Sequence, residues 1–302
     1  MTLRLPWFVA LLACTSCVIG SDKYPRPRDL PQSWLVDRPR LLAVRADPAE
    51  ASPGETVTFS ALLPDPTSTI ATVLWLACPF VEDAESDAPP QCEIDTDLDL
   101  ETASIEELAA AGLIGVEPGF PPTYTVPEDV LEGVEDPAEG SYVTIQVTGL
   151  PELSLDDTAI DFNAVEAGYK RLVVSEATTP NHNPDLAYFT VEGQRVSPGS
   201  MVELDPHQTY EIGVVLADDA VEDYQYVNSD GISEDRTEEP YVTWYATSGT
   251  IVQLWSLHPH LHTDWVSGGF ATTGSWYAVV RDRRGGMAWL EQQWIVGRGL
   301  VE

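Results

Sequence analysis

Residues 274–296 read GSWYAVVRDRRGGMAWLEQQWIV, and the fold follows from how this stretch is read. Trp276, Ala278 and Val280 alternate with other residues, and a two-residue period places all three on one face of a β-strand. RDRRGG then reverses the chain, with Gly285 and Gly286 able to take the positive φ that a tight turn demands. MAWLEQQWIV returns as the last strand. The tryptophans at this end, Trp265, Trp289 and Trp294, fall at alternating spacing. That pattern reads as core rather than as an exposed platform for stacking on sugars.

Working outward, the rest of the chain follows the same period. RLLAVRADP, ETVTFSALLP and TVLWLACP are β-rich runs closed by proline, the first two separated by the turn signal Ser52-Pro53-Gly54. GSYVTIQVTG and GYKRLVVSEA are further strands. The second half repeats the plan in the same order. QTYEIGVVLA matches ETVTFSALLP, with Thr209, Ile212 and Leu216 against Thr56, Phe59 and Leu63. VTWYATSG places Trp244 where TVLWLAC places Trp75. Gly274-Ser275-Trp276 is set against Gly140-Ser141-Tyr142. Ordered matches of this kind predict two copies of one unit. The unit reads as an immunoglobulin-like β-sandwich, its tryptophan strand packed against a Gly-Ser-aromatic strand of the facing sheet. The fold class is therefore all-β, with two such sandwiches in tandem, residues 41–178 and 179–302, and TTPNHNPDL as the break between them. A less regular insertion runs from Pro79 to Glu139. It contains one short helix, SIEELAAAG, opened by a capping box of Ser104 and Glu107 and stopped at Gly112.

The N-terminal residues MTLRLPWFVALLACTSC hold one positive charge, Arg4, and a short apolar run from Leu5 to Ala13. The run is too short to span a bilayer and has the flanks of a signal peptide, residues 1–13. Leu11-Leu12-Ala13-Cys14 resembles a bacterial lipobox, so Cys14 is the expected lipidation site, with Cys17 as the alternative. Residues 14–40 then read as a Pro-rich tether. The remaining cysteines, Cys78 and Cys92, are expected to pair, as two cysteines in an exported chain tend to. The formal net charge is −34 over 302 residues. No Lys or Arg occurs from Ala46 to Tyr169, where 27 Asp and Glu stand. Nucleic-acid phosphates need basic partners, so this charge excludes nucleic acid.

SLHPHLHTDW, residues 256–265, raises the question of a metal. Side chains two apart on a strand lie about 6.5–7 Å apart, so an adjacent pair of His258, His260 and His262 can reach one ion and all three cannot. Pro259 argues for a loop or an edge, where the chain could curl and Asp264 could complete a tetrahedral zinc set. No nearby glutamate stands in an HExxH-like relation to serve as base. DTDLDLETASIE places Asp95, Asp97, Asp99, Glu101 and Glu106 at the acidic positions of an EF-hand loop. It lacks the glycine at position six, where Leu100 stands, and reads at most as a weak calcium-attracting loop. No nucleophile elbow, phosphate-binding loop or dinucleotide fingerprint is present in the sequence. No catalytic residue, metal or cofactor is expected.

The closing segment YAVVRDRRGGMAWLEQQWIV, the PNHNPDL joint and the opening YPRPRDL…RLLAVRADP are similar to those of bacterial Ig-like surface lipoproteins. The resemblance covers most of the mature chain, and its motifs are structural. It implies a sandwich fold and a lipid-anchored place at the outer membrane or cell surface, with a periplasm-facing placement as the alternative. It brings no catalytic residues. The resulting expectation is a binding or structural protein of the envelope. It would be held to the membrane by its N-terminal lipid and partnered by another envelope or secreted protein. The rival readings are a metal-dependent hydrolase using the HPHLH loop and a calcium-stabilised surface module.

Overall fold

Valine, isoleucine, threonine and aromatic residues at alternating positions favour extended chain, and the described elements are twenty strands. The structure is a computed structural model and describes residues 32–78, 107, 111–152, 165–227 and 232–297. In the first half the strands are β1 (Ala43–Asp47), β2 (Glu50–Ala51), β3 (Thr56–Leu62), β4 (Ile70–Cys78), β5 (Leu113–Glu117), β6 (Thr123–Thr125), β7 (Ser141–Pro151) and β8 (Glu166–Val174). The second half begins with β9 (Leu186–Val191), β10 (Gln194–Arg195), β11 (Val202–Leu204), β12 (Thr209–Leu216), β13 (Asp223–Val227) and β14 (Ser233–Thr237). It ends with β15 (Tyr241–Ala246), β16 (Thr250–Ile251), β17 (Trp255–Leu257), β18 (His262–Val266), β19 (Thr272–Arg281) and β20 (Met287–Val296).

The five-stranded sheets β2-β8-β7-β4-β5 and β11-β20-β19-β15-β17 correspond in strand order, while the sheets facing them have three and five strands. In the first half a sheet of order β2-β8-β7-β4-β5 faces a sheet of order β1-β3-β6. In the second half β11-β20-β19-β15-β17 corresponds to the former, and β9-β12-β18, flanked by β10 and β16, to the latter. Even the hands of pairing agree, since β2–β8 and β11–β20 are both parallel among otherwise antiparallel ladders. Each pair of sheets encloses its own core. Trp75, Ile145, Val147 and Leu172 meet Val57 and Phe59 in the first. In the second, Trp244, Trp276, Ala278, Val280 and Trp294 meet Phe189, Ile212 and Trp265. Trp276, Ala278 and Val280 do share one buried face, each fully inaccessible. Trp265, Trp276 and Trp294 form one contiguous aromatic packing, with ring centroids 4.8–5.9 Å apart.

Three sequence expectations need correction here. The tryptophan strand β15 and the strand β19 are neighbours within one sheet, Trp244 opposite Ala278, rather than members of facing sheets. The Gly-Ser-aromatic match also misplaces the register. In β7 the core face is Val143, Ile145 and Val147, which leaves Tyr142 exposed while Trp276 is buried. A one-residue offset exchanges the two faces of a strand, and motif spelling alone does not fix it. Lastly, the stretch from Pro79 to Glu139 is not all insertion. β5 and β6 lie within it and complete the two sheets of the first half. Of the expected helix only Glu107 is described, its carbonyl accepting the amide of Ala111 at 3.1 Å; the rest lies outside the described residues.

The two sandwiches are not separate bodies. Trp34 to Glu302 forms one compact unit. A third core joins the halves: Val36, Leu42, Ala43 and Leu62 pack on Tyr277 and Val279, with Tyr245, Met287 and Trp289 around them. These last residues stand on the face of β15, β19 and β20 that points away from the second core. Trp34 to Arg40, read from the sequence as tether, belong to this unit. Val36 is fully buried and its amide donates to the Ala246 carbonyl at 2.9 Å, while the Trp34 carbonyl accepts the Ala246 amide at 3.0 Å. The Arg40 guanidinium lies 5.7 Å from the Tyr245 ring centre.

Candidate functional site

A buried polar junction stands where the sequence suggests a plain break. Asn181, in PNHNPDL, is 1% exposed. Its amide donates to Glu50 Oε2 at 2.8 Å, and the other Glu50 oxygen accepts from Ser175 Oγ. Its side-chain Nδ2 donates to Asp282 Oδ2 at 2.8 Å. Asp282 Oδ1 accepts the amides of Arg284 at 2.7 Å and Gly285 at 3.0 Å. This carboxylate therefore folds the RDRRGG turn and ties it to the joint. Lys170 of β8 reaches across from the first sandwich and donates to the Gly285 carbonyl. Asn183 donates to the Ala46 carbonyl at 2.7 Å and accepts from the Met287 amide at 2.9 Å, again bridging both halves.

The same two segments grip a third element. β13 and β14 form a two-stranded ribbon of their own, joined to neither large sheet. At its base, Glu238 and Glu222 bond to each other through their backbones at 2.9 Å. Arg284 donates to Glu222 Oε2 and to Glu238 Oε1, both at 3.0 Å, and its guanidinium lies 4.4 Å from the Tyr224 ring centre. His182 Nδ1 pairs with the remaining Glu222 oxygen at 2.7 Å. Charge-assisted bonds of this kind are stronger than neutral ones.

The electrostatics follow from burial. Desolvation pushes Asp282 above the usual carboxylate range, against the bonds from Asn181, Arg284 and Gly285 and the charge of Lys170. Glu238 is likewise raised by burial, with the Glu222 amide and Arg284 opposing. Burial brings Lys170 down to about 8, partly offset by Asp282. Removing a buried charge from water is expensive unless partners replace its hydration, and the junction supplies those partners from three chain segments.

The glycines of the turn have different jobs. Gly285 takes φ +122° and Arg283 also has positive φ, +75°. Gly286 is instead a close-approach position: a Cβ there would meet Asp282 Oδ2 at 2.1 Å and the His182 carbonyl at 2.7 Å. Sequence reasoning singled out the glycines and missed the carboxylate they surround.

The histidines are placed differently from a metal set. His258 and His260 sit in the turn after β17, the His260 amide bonded to the Leu257 carbonyl at 2.8 Å, and His262 opens β18. All three are exposed, as is Asp264. The His260 and His262 ring centres are 6.1 Å apart at an interplanar angle of 83°, and His262 Nδ1 lies 3.5 Å from Glu211 Oε2. Among the described residues no group of three or more His, Cys, Asp or Glu is placed to hold a metal ion. A groove of about 430 Å³ opens beside this turn, lined by Val214, Leu216, Ala217, Val221, His258 and Pro259. Cys78 ends β4, buried and not a free thiol. Cys14, Cys17, Cys92, Asp95, Asp97, Asp99, Glu101 and Glu106 lie outside the described residues. No described helix is long and apolar enough to cross a membrane.

With the geometry in place, the chain can be set beside known proteins. No family model matches it, and no curated protein does. Solved structures to which it is similar include dimeric latent PorU from Porphyromonas gingivalis, at 10% identity and a TM-score of 0.23. That alignment covers 91% of this chain and 25% of PorU, so the chain spans about a quarter of that protein. The D0-D1 domain of intimin is 9% identical at a TM-score of 0.21, over 84% of this chain and 98% of that one. Murine CEACAM1b is 9% identical at a TM-score of 0.21, over 84% and 100%. At these scores the likenesses carry no argument about function.

Proposed function

We propose that the chain is a lipid-anchored, extracytoplasmic binding or structural protein of a bacterial envelope, built of two immunoglobulin-like sandwiches that present a surface to another envelope or secreted protein. The observation that carries this reading is the fusion of the two sandwiches. A third core and a buried polar junction make them one body, with the β13–β14 ribbon held at its side. A body built to hold its shape suits presentation of a surface. The strong negative charge disfavours anionic partners and favours cationic ones. The lipobox-like run before Cys14 supports the anchor, and the function is non-catalytic, using neither metal nor cofactor.

The test is fractionation and mass spectrometry of the chain expressed in a bacterial host, followed by cross-linking of membrane-extracted protein to its neighbours. The expected result is acylation at Cys14, release or failed processing of Cys14→Ser, and a cross-linked protein partner. Acylation at Cys17 would move the anchor and keep the reading. An unmodified mature chain in the soluble fraction, or zinc-dependent hydrolysis abolished by replacing His258 and His262, would overturn it.

A further inference from the structure

The junction touches three bodies at once, and its two segments are shared between them. Segment 179–185 bonds to the first sandwich through Asn181 and Asn183 and to the ribbon base through His182. The turn 282–286 accepts Lys170 from the first sandwich at Gly285. It holds both glutamates of the ribbon base through Arg284. Asp282 binds the two segments to each other, through Asn181 Nδ2 on one side and the Arg284 and Gly285 amides on the other. Nothing in β2 or β8 needs to touch the ribbon for its state to be felt there.

We propose that this junction is a mechanical relay: the seating of the first sandwich on the RDRRGG turn sets the position of the β13–β14 ribbon, through Asp282 and Arg284. The ribbon is the part able to respond. Among the described residues it is joined to no other sheet, and the bonds at its base tie it to the turn and the joint. Beyond the base it carries the Arg236 guanidinium stacked 3.8 Å from the Tyr226 ring centre, with Tyr226 and Ile232 turned to solvent. A partner drawing on that ribbon, or a pull on the N-terminal side of the first sandwich, would act on the same bonds from opposite ends. Coupling of this type needs a contiguous set of contacts with a shared alternative arrangement, and the shared bonds are those of Asp282.

Hydrogen exchange on the full mature chain tests it. Lys170→Met removes the donor to the Gly285 carbonyl, Glu50→Gln removes the charge behind the bond from the Asn181 amide, and neither residue touches the ribbon. Each is expected to speed amide exchange in the ribbon, at 222–227 and 233–238, by about tenfold. That is the scale of one lost charge-assisted bond read as a local opening. Arg284→Gln is expected to give a similar rise, and the double variant Lys170→Met/Arg284→Gln no further rise, since both act on one path. Tryptophan fluorescence of each variant confirms the folded cores, and the Glu50→Gln arm stands where Lys170→Met does not fold. Faster exchange confined to β8 and the turn, with the ribbon unchanged, would overturn the relay. So would additive effects in the double variant.

Discussion

At Gly286 the constraint comes from neighbours rather than from φ. A methyl group there would collide with the Asp282 carboxylate and the backbone of His182, neither being the loose end of a flexible side chain. Gly286→Ala is expected to lower stability by about 2–3 kcal/mol, the scale of overpacking plus a disturbed buried bond, read as a drop in urea midpoint at unchanged slope. Acidic and basic groups of the junction act on pH dependence with opposite signs. Asp282 and Glu238 hold protons in the folded state to higher pH than unfolded carboxylates do. Their contribution is thus present below the unfolded value and lost as pH rises through the folded one. Lys170 titrates near 8 folded against 10.5 unfolded, so from about pH 8 to 10.5 the unfolded chain binds more protons and stability gains as pH rises. Asp282→Asn is expected to reduce the fall just above the ordinary carboxylate range, and Lys170→Met to flatten the gain above pH 8. Denaturation midpoints measured across pH 4–10 check both. The carboxylate at 282 was invisible to sequence reading because its partners lie as far as 101 residues away, and no local spacing encodes a contact of that range.

At the scale of elements, the alternating strands were legible and their neighbours were not. The shared face of Trp276, Ala278 and Val280 was read correctly, and so was the return strand, because each follows from side-chain direction along one strand; burial itself does not alternate there, since Ser275, Tyr277 and Val279 on the other face are buried too. Which strand lies beside which is a property of long-range pairing, so β15 and β19 were assigned to facing sheets in error. PNHNPDL was read only as the break between the halves; the burial of Asn181 there depends on Glu50 and Asp282, which sequence proximity does not reveal. HPHLH was read as a loop or an edge; His258 and His260 lie in the turn after β17 while His262 opens β18, and the exposed rings give a direct test. Replacing His258, His260 and His262 with alanine is expected to change stability by no more than about 0.5 kcal/mol, as exposed substitutions do. Elemental analysis should show far less than one zinc per chain. Stoichiometric zinc surviving dialysis would restore the metal reading. For the cysteine loop, Cys78→Ser is expected to remove about 3 kcal/mol if the partner is Cys92, together with a newly labelled thiol at position 92; absence of that thiol would point to a different partner.

At the scale of the whole molecule, one sheet of each half has the same strand order, down to the parallel β2–β8 and β11–β20 pairs, while the facing sheets differ in size. What the repeat did not convey is that the halves are welded. The third core uses the face of β15, β19 and β20 that a free sandwich would turn to water. Its residues, Tyr245, Tyr277, Val279 and Trp289, are apolar or aromatic where an outward face would be polar. That excess of apolar residues on both faces of one sheet was present in YAVVR and MAWL, and it is the one sequence signal that pointed to a covering partner. The central claim is that the two sandwiches form a single cooperative body. Differential scanning calorimetry of the full chain tests it most directly. A fused body is expected to unfold in one transition, with calorimetric and van't Hoff enthalpies in a ratio of about 1. Two resolved transitions, one sandwich melting while the other keeps its tryptophan signal, would contradict it.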